Sequence, residues 1–447
     1  MLSDPIAALA TPPGRSAIAL IRLSGSGSLE IAQQVIHPPI DALPDRIATL
    51  LPFFSAAGAE IDRGLVTVFR APHSYTGHDL VEFSCHGGLL APAQLLAALH
   101  AAGARPAVAG EFTRRAVLNG KLDLLQAEAV GDLIDATAPA QGRAALRQLD
   151  GRLSLRIHAL REQMLELLAL LAYDIDFPEE DDGPVPRERI EGFLESAAES
   201  VERLLAGAPA GERLHDGALV VLAGRPNTGK SSLFNALLGS DRALVTEIPG
   251  TTRDTIEAAT EMEGWPVRLA DTAGIRETGE TIERMGIEVS RRYLAAADLL
   301  LLCAEAGRPV SAEERELLSG HRALLVRSKA DLTGKREERE NGGGVLVSVV
   351  TGEGLDHLRH AIAAELFGNG SQYADAEPLL SRERHRTALE RAREALSKAK
   401  PELGKGADPL LAAHHVRDAV AALDELIGLV HPDEVLGRVF ERFCVGK

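Results

Sequence analysis

The sequence predicts a multidomain α/β protein: an α+β N-terminal domain, then a discontinuous helical domain into which a doubly wound unit is inserted. Three observations predict this. At 447 residues the chain is longer than one hydrophobic core normally supports. From residue 218 to about 367, short apolar runs alternate with helical patterns, as in a parallel sheet with crossover helices. On both sides of that unit, from 121 and again beyond 379, apolar residues recur at helical spacing instead. The expected segments are 1–119, 120–216, 217–370 and 371–447, with the second and fourth packing together as one helical domain.

Taken in order, 17–21, 64–69 and 80–83 read as strands, being short apolar runs bounded by turn signals. Cys85-His86-Gly87-Gly88 reads as a break, and 91–102 as a helix. Leu122, Leu125, Ala129 and Leu133 fall on one helical face, and a second helix is expected over 149–171. The acidic, proline-containing stretch 174–186 should interrupt it. A further helix over 189–206 should end in a loop, 207–216. Residues 218–222 are wholly apolar, as a central strand buried on both faces requires. The charged, glycine-rich 334–344 reads as an exposed loop, and no internal repeat is visible.

A hydrophobic share of 45% with 25% charged residues fits a soluble globular protein, and no apolar run is long enough to span a bilayer. Residues 1–10 lack a basic region followed by an apolar block, so no secretory signal is expected. Cys85, Cys303 and Cys444 lie far apart with no CxxC pair, which argues against a disulfide scaffold or structural zinc and fits a reducing cytoplasm. His86 has no companion ligands at metal-binding spacing. A net charge of -17 is wrong for a protein that holds RNA by neutralising phosphates. Any contact with nucleic acid should come from a local patch or a basic partner subunit.

The inserted unit carries the chemistry. Gly224-Arg225-Pro226-Asn227-Thr228-Gly229-Lys230-Ser231 fits GxxxxGK[ST] directly after the strand 218–222, the context that motif requires. Backbone amides of Asn227, Thr228, Gly229, Lys230, Ser231 and Ser232 would cradle the phosphates at a helix N-terminus. Lys230 would reach the outer phosphates and Ser231 a magnesium ion. Thr252, in Thr251-Thr252-Arg253-Asp254, could join that ion when a γ-phosphate is present. In Asp271-Thr272-Ala273-Gly274, Asp271 would sit behind the magnesium and Gly274 would offer its amide to the γ-phosphate. In Ser328-Lys329-Ala330-Asp331, Asp331 can accept two hydrogen bonds from the guanine edge, which adenine cannot supply. In this order the elements predict a Ras-like P-loop GTPase domain that binds GTP.

Three sites depart from the common pattern. Ser328 stands where GTPases usually have Asn, which should cost about 1 kcal/mol of base binding, one hydrogen bond. Ser348-Val349-Val350 stands where Ser-Ala-Lys is common, a loose match through which backbone contacts to the base could persist. Ile275 occupies the place of the glutamine that often orients the attacking water, so another group must do so. Glu277, Glu280 and Glu283 are candidate carboxylates, or else acids that solvate a mobile loop.

Strings outside this unit carry a resemblance. Ala10-Thr11-Pro12-Pro13-Gly14-Arg15, Ser74-Tyr75-Thr76-Gly77, Gly110-Glu111-Phe112-Thr113-Arg114-Arg115-Ala116, Asn119-Gly120-Lys121-Leu122-Asp123 and Phe443-Cys444-Val445-Gly446-Lys447 are similar to stretches of the MnmE/TrmE family of tRNA-modification GTPases. The resemblance runs along almost the whole chain. It implies a potassium-activated G domain that hydrolyses GTP on dimerising through its switch regions. Asn227 would be a potassium ligand, with Thr246, Ile248 and Thr251 contributing oxygens, and Glu247, Pro249 and Gly250 completing that nucleotide-binding loop. Glu283 matches the family's catalytic glutamate, which orients the attacking water; the role of Arg276 stays open.

The same resemblance implies that the N-terminal domain binds formyl- or methylene-tetrahydrofolate through Arg22, Glu82, Lys121 and Lys447. A carboxylate such as Glu82 suits a pterin edge, and basic side chains suit the cofactor's glutamate tail. Cys444 would be an unmodified thiol near that site, nucleophilic or structural. It sits fourth from the end, but a final lysine fits a prenylation signal poorly. The implied assembly is a homodimer acting with an FAD-dependent partner, MnmG/GidA, as a heterotetramer without a membrane. It would add an aminomethyl or carboxymethylaminomethyl group to C5 of the wobble uridine of certain tRNAs, with GTP hydrolysis driving conformational change. The alternatives are a ribosome-assembly GTPase, for which no basic RNA-binding domain is visible, and a folate-binding scaffold that binds GTP without turnover.

Overall fold

The computed structural model describes residues 3–176, 186–239, 256–271, 292–332, 343–368, 380–403, 408–429, 439–440 and 443–446. The chain divides into two compact units: Met1–Gly131 with Ser154–Arg161 and Ala421–Lys447, and Asp132–Leu153 with Glu162–Val420.

The first unit is built on a six-stranded sheet. Its strands are β1 (Ile6–Leu9), β2 (Ile18–Ser24), β3 (Thr49–Phe54), β4 (Glu60–Phe69), β5 (Leu80–His86) and β6 (Arg105–Pro106), in the order β3-β4-β5-β2-β1-β6. All pairs are antiparallel except β1 with β6. Alternation along β2 and β5 buries Ala19, Ile21, Leu23, Val81, Phe83 and Cys85 on one face. The helices Ser28–Gln33 and Leu90–Ala101 cover that face through Ile31, Leu95 and Leu99. The same alternation turns Arg22 and Glu82, register partners across β2 and β5, to the opposite face. A small satellite core gathers Val117, Leu124, Ala127, Phe440 and Phe443 from both ends of the chain.

In the second unit the helix Glu383–Glu402 packs along Arg187–Asp216. Ala388, Ala392 and Ala399 are buried there alongside Ala197, Val201 and Ala208, and such small side chains let helix backbones approach closely. Arg386 Nε meets Glu212 at 2.8 Å at one end of the pair. The inserted sheet comprises β7 (Ala218–Ala223), β8 (Ile256–Met262), β9 (Trp265–Asp271), β10 (Leu299–Glu305), β11 (Ala323–Ser328) and β12 (Val345–Leu346). Its order is β12-β11-β10-β7-β9-β8, parallel except for the edge pair β8 with β9. This is the Ras-like arrangement. All six residues of β7 are buried, which explains its uninterrupted apolar run. From β7 the chain passes to the edge strand β8 and back to β9, then crosses to β10 on the other side, so the carboxyl ends of β7, β9 and β10 frame a topological switch point, the usual ligand site of such sheets.

Several expected boundaries are corrected. The helix expected to stop at 206 continues to Asp216 through Pro209. Proline costs it one backbone hydrogen bond, but burial of Ala208, Gly211 and Leu214 on one face holds the helix together until Gly217, at φ 82°. The helix expected over 149–171 runs instead over Arg152–Asp176, and a separate helix, Pro139–Leu149, precedes it across Gly151 at φ 80°. Cys85 and His86 are not a break but the end of β5, where His86 Nδ1 lies 2.8 Å from Asp62 Oδ1. The strand before Ser348 is short, Val345–Leu346. Strands β1 and β3 were not anticipated from the sequence. The loop expected at 334–344 lies, apart from Gly343 and Gly344, outside the described residues.

Candidate functional site

The phosphate loop begins where β7 ends. Gly224 sits at φ 143°, and a Cβ there would stand 2.3 Å from the Cys303 carbonyl oxygen, so only glycine lets the loop lie this close to β10. Asn227 and Gly229 also take positive φ, 63° and 86°, and Gly229 opens the helix Lys230–Leu238. The turn thus presents successive backbone amides ahead of a helix N-terminus, the arrangement that binds phosphate. The Lys230 ammonium, on a residue 7% exposed, donates to the carbonyls of Gly224 at 2.9 Å and Arg225 at 2.8 Å. Thr228 Oγ1 donates to Arg225 O at 2.9 Å, and Ser232 is exposed.

Three contacts bring the separate motifs together. Ser231 Oγ donates to Asp271 Oδ2 at 2.8 Å, pairing the start of the helix after β7 with the end of β9. A hydroxyl beside a buried carboxylate is a donor set of hard oxygens, the kind magnesium takes. Ser328 Oγ donates to Thr228 O at 2.7 Å, so the end of β11 is fastened to the phosphate loop. Ser348 Oγ donates to Asp331 Oδ1 at 2.6 Å, orienting the carboxylate expected to read guanine.

Around them, Lys329 takes φ 56° and its ammonium pairs with Glu305 at 2.6 Å, which also receives Arg308 at 2.8 Å. The bond from Lys329 holds the Glu305 carboxyl below the ordinary carboxylate range. Burial pushes the Cys303 thiol, beneath the phosphate loop, up to about 12, so it stays protonated and inert. Val349 is half-buried and Val350 is 86% exposed. Thr246, Glu247, Ile248, Pro249, Gly250, Thr251, Thr252, Thr272, Ala273, Gly274, Arg276, Glu277, Glu280, Glu283 and Lys447 lie outside the described residues.

In the first unit Arg22 Nε meets Glu82 Oε1 at 2.8 Å, both side chains being about one-fifth exposed. The Arg22 guanidinium also lies 5.8 Å from the centre of the Tyr75 ring and 3.4 Å from Gly446 O. Gly446, at φ 98°, passes so close to β1 that a Cβ would meet Leu9 O at 2.6 Å. An acid, a base, an aromatic face and a backbone carbonyl thus converge from β2, β5 and the chain's last described residues. Lys121 Nζ donates to Pro72 O at 3.0 Å on the surface. Cys444 is exposed, and its carbonyl receives Gly110 N at 3.4 Å. Burial raises the Cys85 thiol to about 11, which leaves Cys444 as the exposed thiol of the three.

Tyr75 and Glu305 were not singled out as site residues from the sequence. Tyr75 lies in one of the strings that carried the resemblance, but nothing in its spacing places its ring under Arg22. Among the described residues no cluster of three or more histidine, cysteine or acidic side chains forms a metal centre, and no helix is long and apolar enough to cross a membrane.

Comparison with known proteins agrees along the whole chain. Residues 5–121 match the family described as "GTP-binding protein TrmE N-terminus", and residues 124–444 match "MnmE helical domain". A protein of Thermus thermophilus, "tRNA modification GTPase MnmE", is 45% identical over 448 residues, all of each chain. Proteins of the same name from Moorella thermoacetica and Aquifex aeolicus are 42% and 40% identical, again over all of each chain. Among solved structures, the G domain of the T. maritima FeoB iron transporter matches 33% of this chain and 98% of its own, at 30% identity and a TM-score of 0.26.

Proposed function

This chain belongs to the MnmE/TrmE family and is a GTPase of tRNA modification; we propose that it couples GTP hydrolysis to modification at C5 of the wobble uridine. The observation that carries the GTPase reading is the Ser231–Asp271 hydrogen bond at the switch point, beside a base loop held by Ser328 and Ser348.

The chain's own groups have distinct tasks. Amides of the loop from Asn227 to Ser231 grip the phosphates, and the Lys230 ammonium exchanges its carbonyl partners for phosphate oxygens. Asp331, oriented by Ser348, accepts from the guanine edge. Ser231, with Thr252, would hold magnesium and Asp271 would back it; that ion supplies charge stabilisation on the phosphates. Asn227, whose positive φ turns the loop at that point, would hold potassium with oxygens of Thr246, Ile248 and Thr251. Glu283 orients the attacking water.

The N-terminal cluster is proposed to hold the folate. Glu82 would read the pterin edge, Arg22 the carbonyl or carboxylate groups, and Lys121 and Lys447 the acidic tail. A folate held there would supply the one-carbon chemistry of the modification. Hydrolysis does not make that bond but drives opening and closing of paired G domains in a homodimer. We assign the tRNA chiefly to an FAD-dependent MnmG/GidA partner, because a net charge of -17 suits poorly a subunit that holds RNA by itself. We place the domain limits at 1–119, 120–216, 217–370 and 371–447.

The test of the hydrolytic reading is Glu283→Ala. It should bind GTP as the unchanged protein does and lose turnover. Undiminished turnover would remove Glu283 from the mechanism, and absence of turnover in the unchanged protein would favour the scaffold reading.

A further inference from the structure

Ser328 is the position where this chain departs from the usual Asn, and its hydroxyl is already committed. The residue is 5% exposed; Oγ donates to Thr228 O at 2.7 Å, with Ala304 O as a second acceptor at 3.3 Å. A hydroxyl has a single proton, so neither contact leaves a hydrogen for a third group. Guanine N7 and O6 are both acceptors, and a purine seated against Asp331 would find no donor in the Ser328 side chain. Meanwhile the bond joins two loops a hundred residues apart, one expected to hold phosphate and the other the base. Lys329 continues directly from it in a left-handed conformation, anchored to Glu305.

We propose that Ser328 is a positioning residue that ties the base loop to the phosphate loop through the Thr228 carbonyl and leaves purine N7 unread. Guanine selection then rests on Asp331 and its Ser348 partner. This deepens, and rests on, the reading of the site as a guanine-nucleotide site.

The full chain tests it, with GDP and 7-deaza-GDP titrated by calorimetry into the unchanged protein, Ser328→Ala and Ser328→Thr. The unchanged protein should bind the two nucleotides within about twofold of each other, there being no hydrogen bond to lose at N7. Ser328→Ala should weaken both by the same factor, on the order of tenfold, because a buried carbonyl loses its donor. Ser328→Thr, which keeps the hydroxyl, should restore both affinities. A preference for GDP of roughly tenfold or more in the unchanged protein, lost in Ser328→Ala, would overturn the proposal, since Ser328 would then read N7. Equal affinities in Ser328→Ala and the unchanged protein would overturn the tether. The ratio in the unchanged protein decides the N7 claim even if Ser328→Ala does not fold. Failure of the unchanged protein to bind either nucleotide would overturn the guanine-site reading itself, and this inference with it.

Discussion

Ser231 Oγ and Asp271 Oδ2 are joined by a 2.8 Å hydrogen bond across forty residues of sequence. Neither residue is informative alone. Their meeting follows from β7 and β9 being parallel neighbours, which brings the phosphate loop and the end of β9 to the same edge of the sheet. The acid is 2% exposed, and a carboxylate so buried needs a cation or hydrogen-bond donors to offset its lost hydration.

Asp271→Asn preserves size while removing that charge. GTP turnover should fall at least about 100-fold, as when a principal electrostatic group is lost. Nucleotide affinity, measured with and without magnesium, should become insensitive to the ion. Retained magnesium dependence would place the ion elsewhere.

Gly224→Ala should abolish nucleotide binding. Its Cβ would stand 2.3 Å from the Cys303 carbonyl in a backbone conformation side chains rarely adopt, at φ 143°. Strain of that kind costs about 1–3 kcal/mol before the clash is counted. Gly239→Ala is the control: φ is also positive, 71°, but among the described residues no atom lies within 4 Å of its Cβ. It should lose about 1 kcal/mol of stability and keep its affinity for GDP. Thermal unfolding and a fluorescent GDP titration distinguish the two.

The legible and illegible parts of the fold divide along physical lines. The run 218–222 announced a buried parallel strand because both faces are covered, and the glycines after it announced a turn only backbone could make. The edge of the first sheet was harder to read. In β3, Leu50 is 69% exposed, so apolar content did not translate into an obvious buried face. The stretch 207–216 reads as a loop and contains Pro209, which disfavours helix, whereas packing of Ala208, Gly211 and Leu214 keeps it helical. Within the site, Asp331 and Ser348 were separately recognisable, but their hydrogen bond, like that of Ser328 to Thr228, depends on loop geometry. The approach of Gly446 to Arg22, 424 residues away, had no local signal; the family resemblance alone put Lys447 beside Arg22.

Arg22→Ala should weaken tetrahydrofolate binding at least about tenfold, because Glu82 would lose its charged partner at the face where the pterin is proposed to sit. GTP turnover should be unaltered. Unchanged folate affinity by calorimetry would sink the assignment of Arg22, Glu82 and Tyr75 to that site.

Acid should loosen the first unit through Asp4 and Glu111. Burial pushes the Glu111 carboxyl up, but hydrogen bonds from Arg105, the Val108 amide and Arg115 outweigh it and hold the group below 4.5. The bond from Arg105 likewise holds Asp4 below 3.8. Both folded-state values are depressed, so their stabilisation is fully present above about pH 4.5 and is lost as pH falls through the depressed values. Glu111→Gln should cost about 2 kcal/mol at neutral pH, since the fully buried Arg115 keeps Asp4 but loses the charge of its second carboxylate. It should also flatten the fall in unfolding temperature between about pH 5 and 3. A variant with the same acid slope as the unchanged protein would remove Glu111 from that transition.

The most direct measurement of the central claim is GTP turnover by the full chain in potassium buffer against sodium at the same ionic strength. A cation-dependent, dimerising G domain predicts strong stimulation by potassium. Equal rates in the two salts would contradict the cation site assigned to Asn227, Thr246, Ile248 and Thr251, and nucleotide binding without turnover in either would contradict the hydrolytic account.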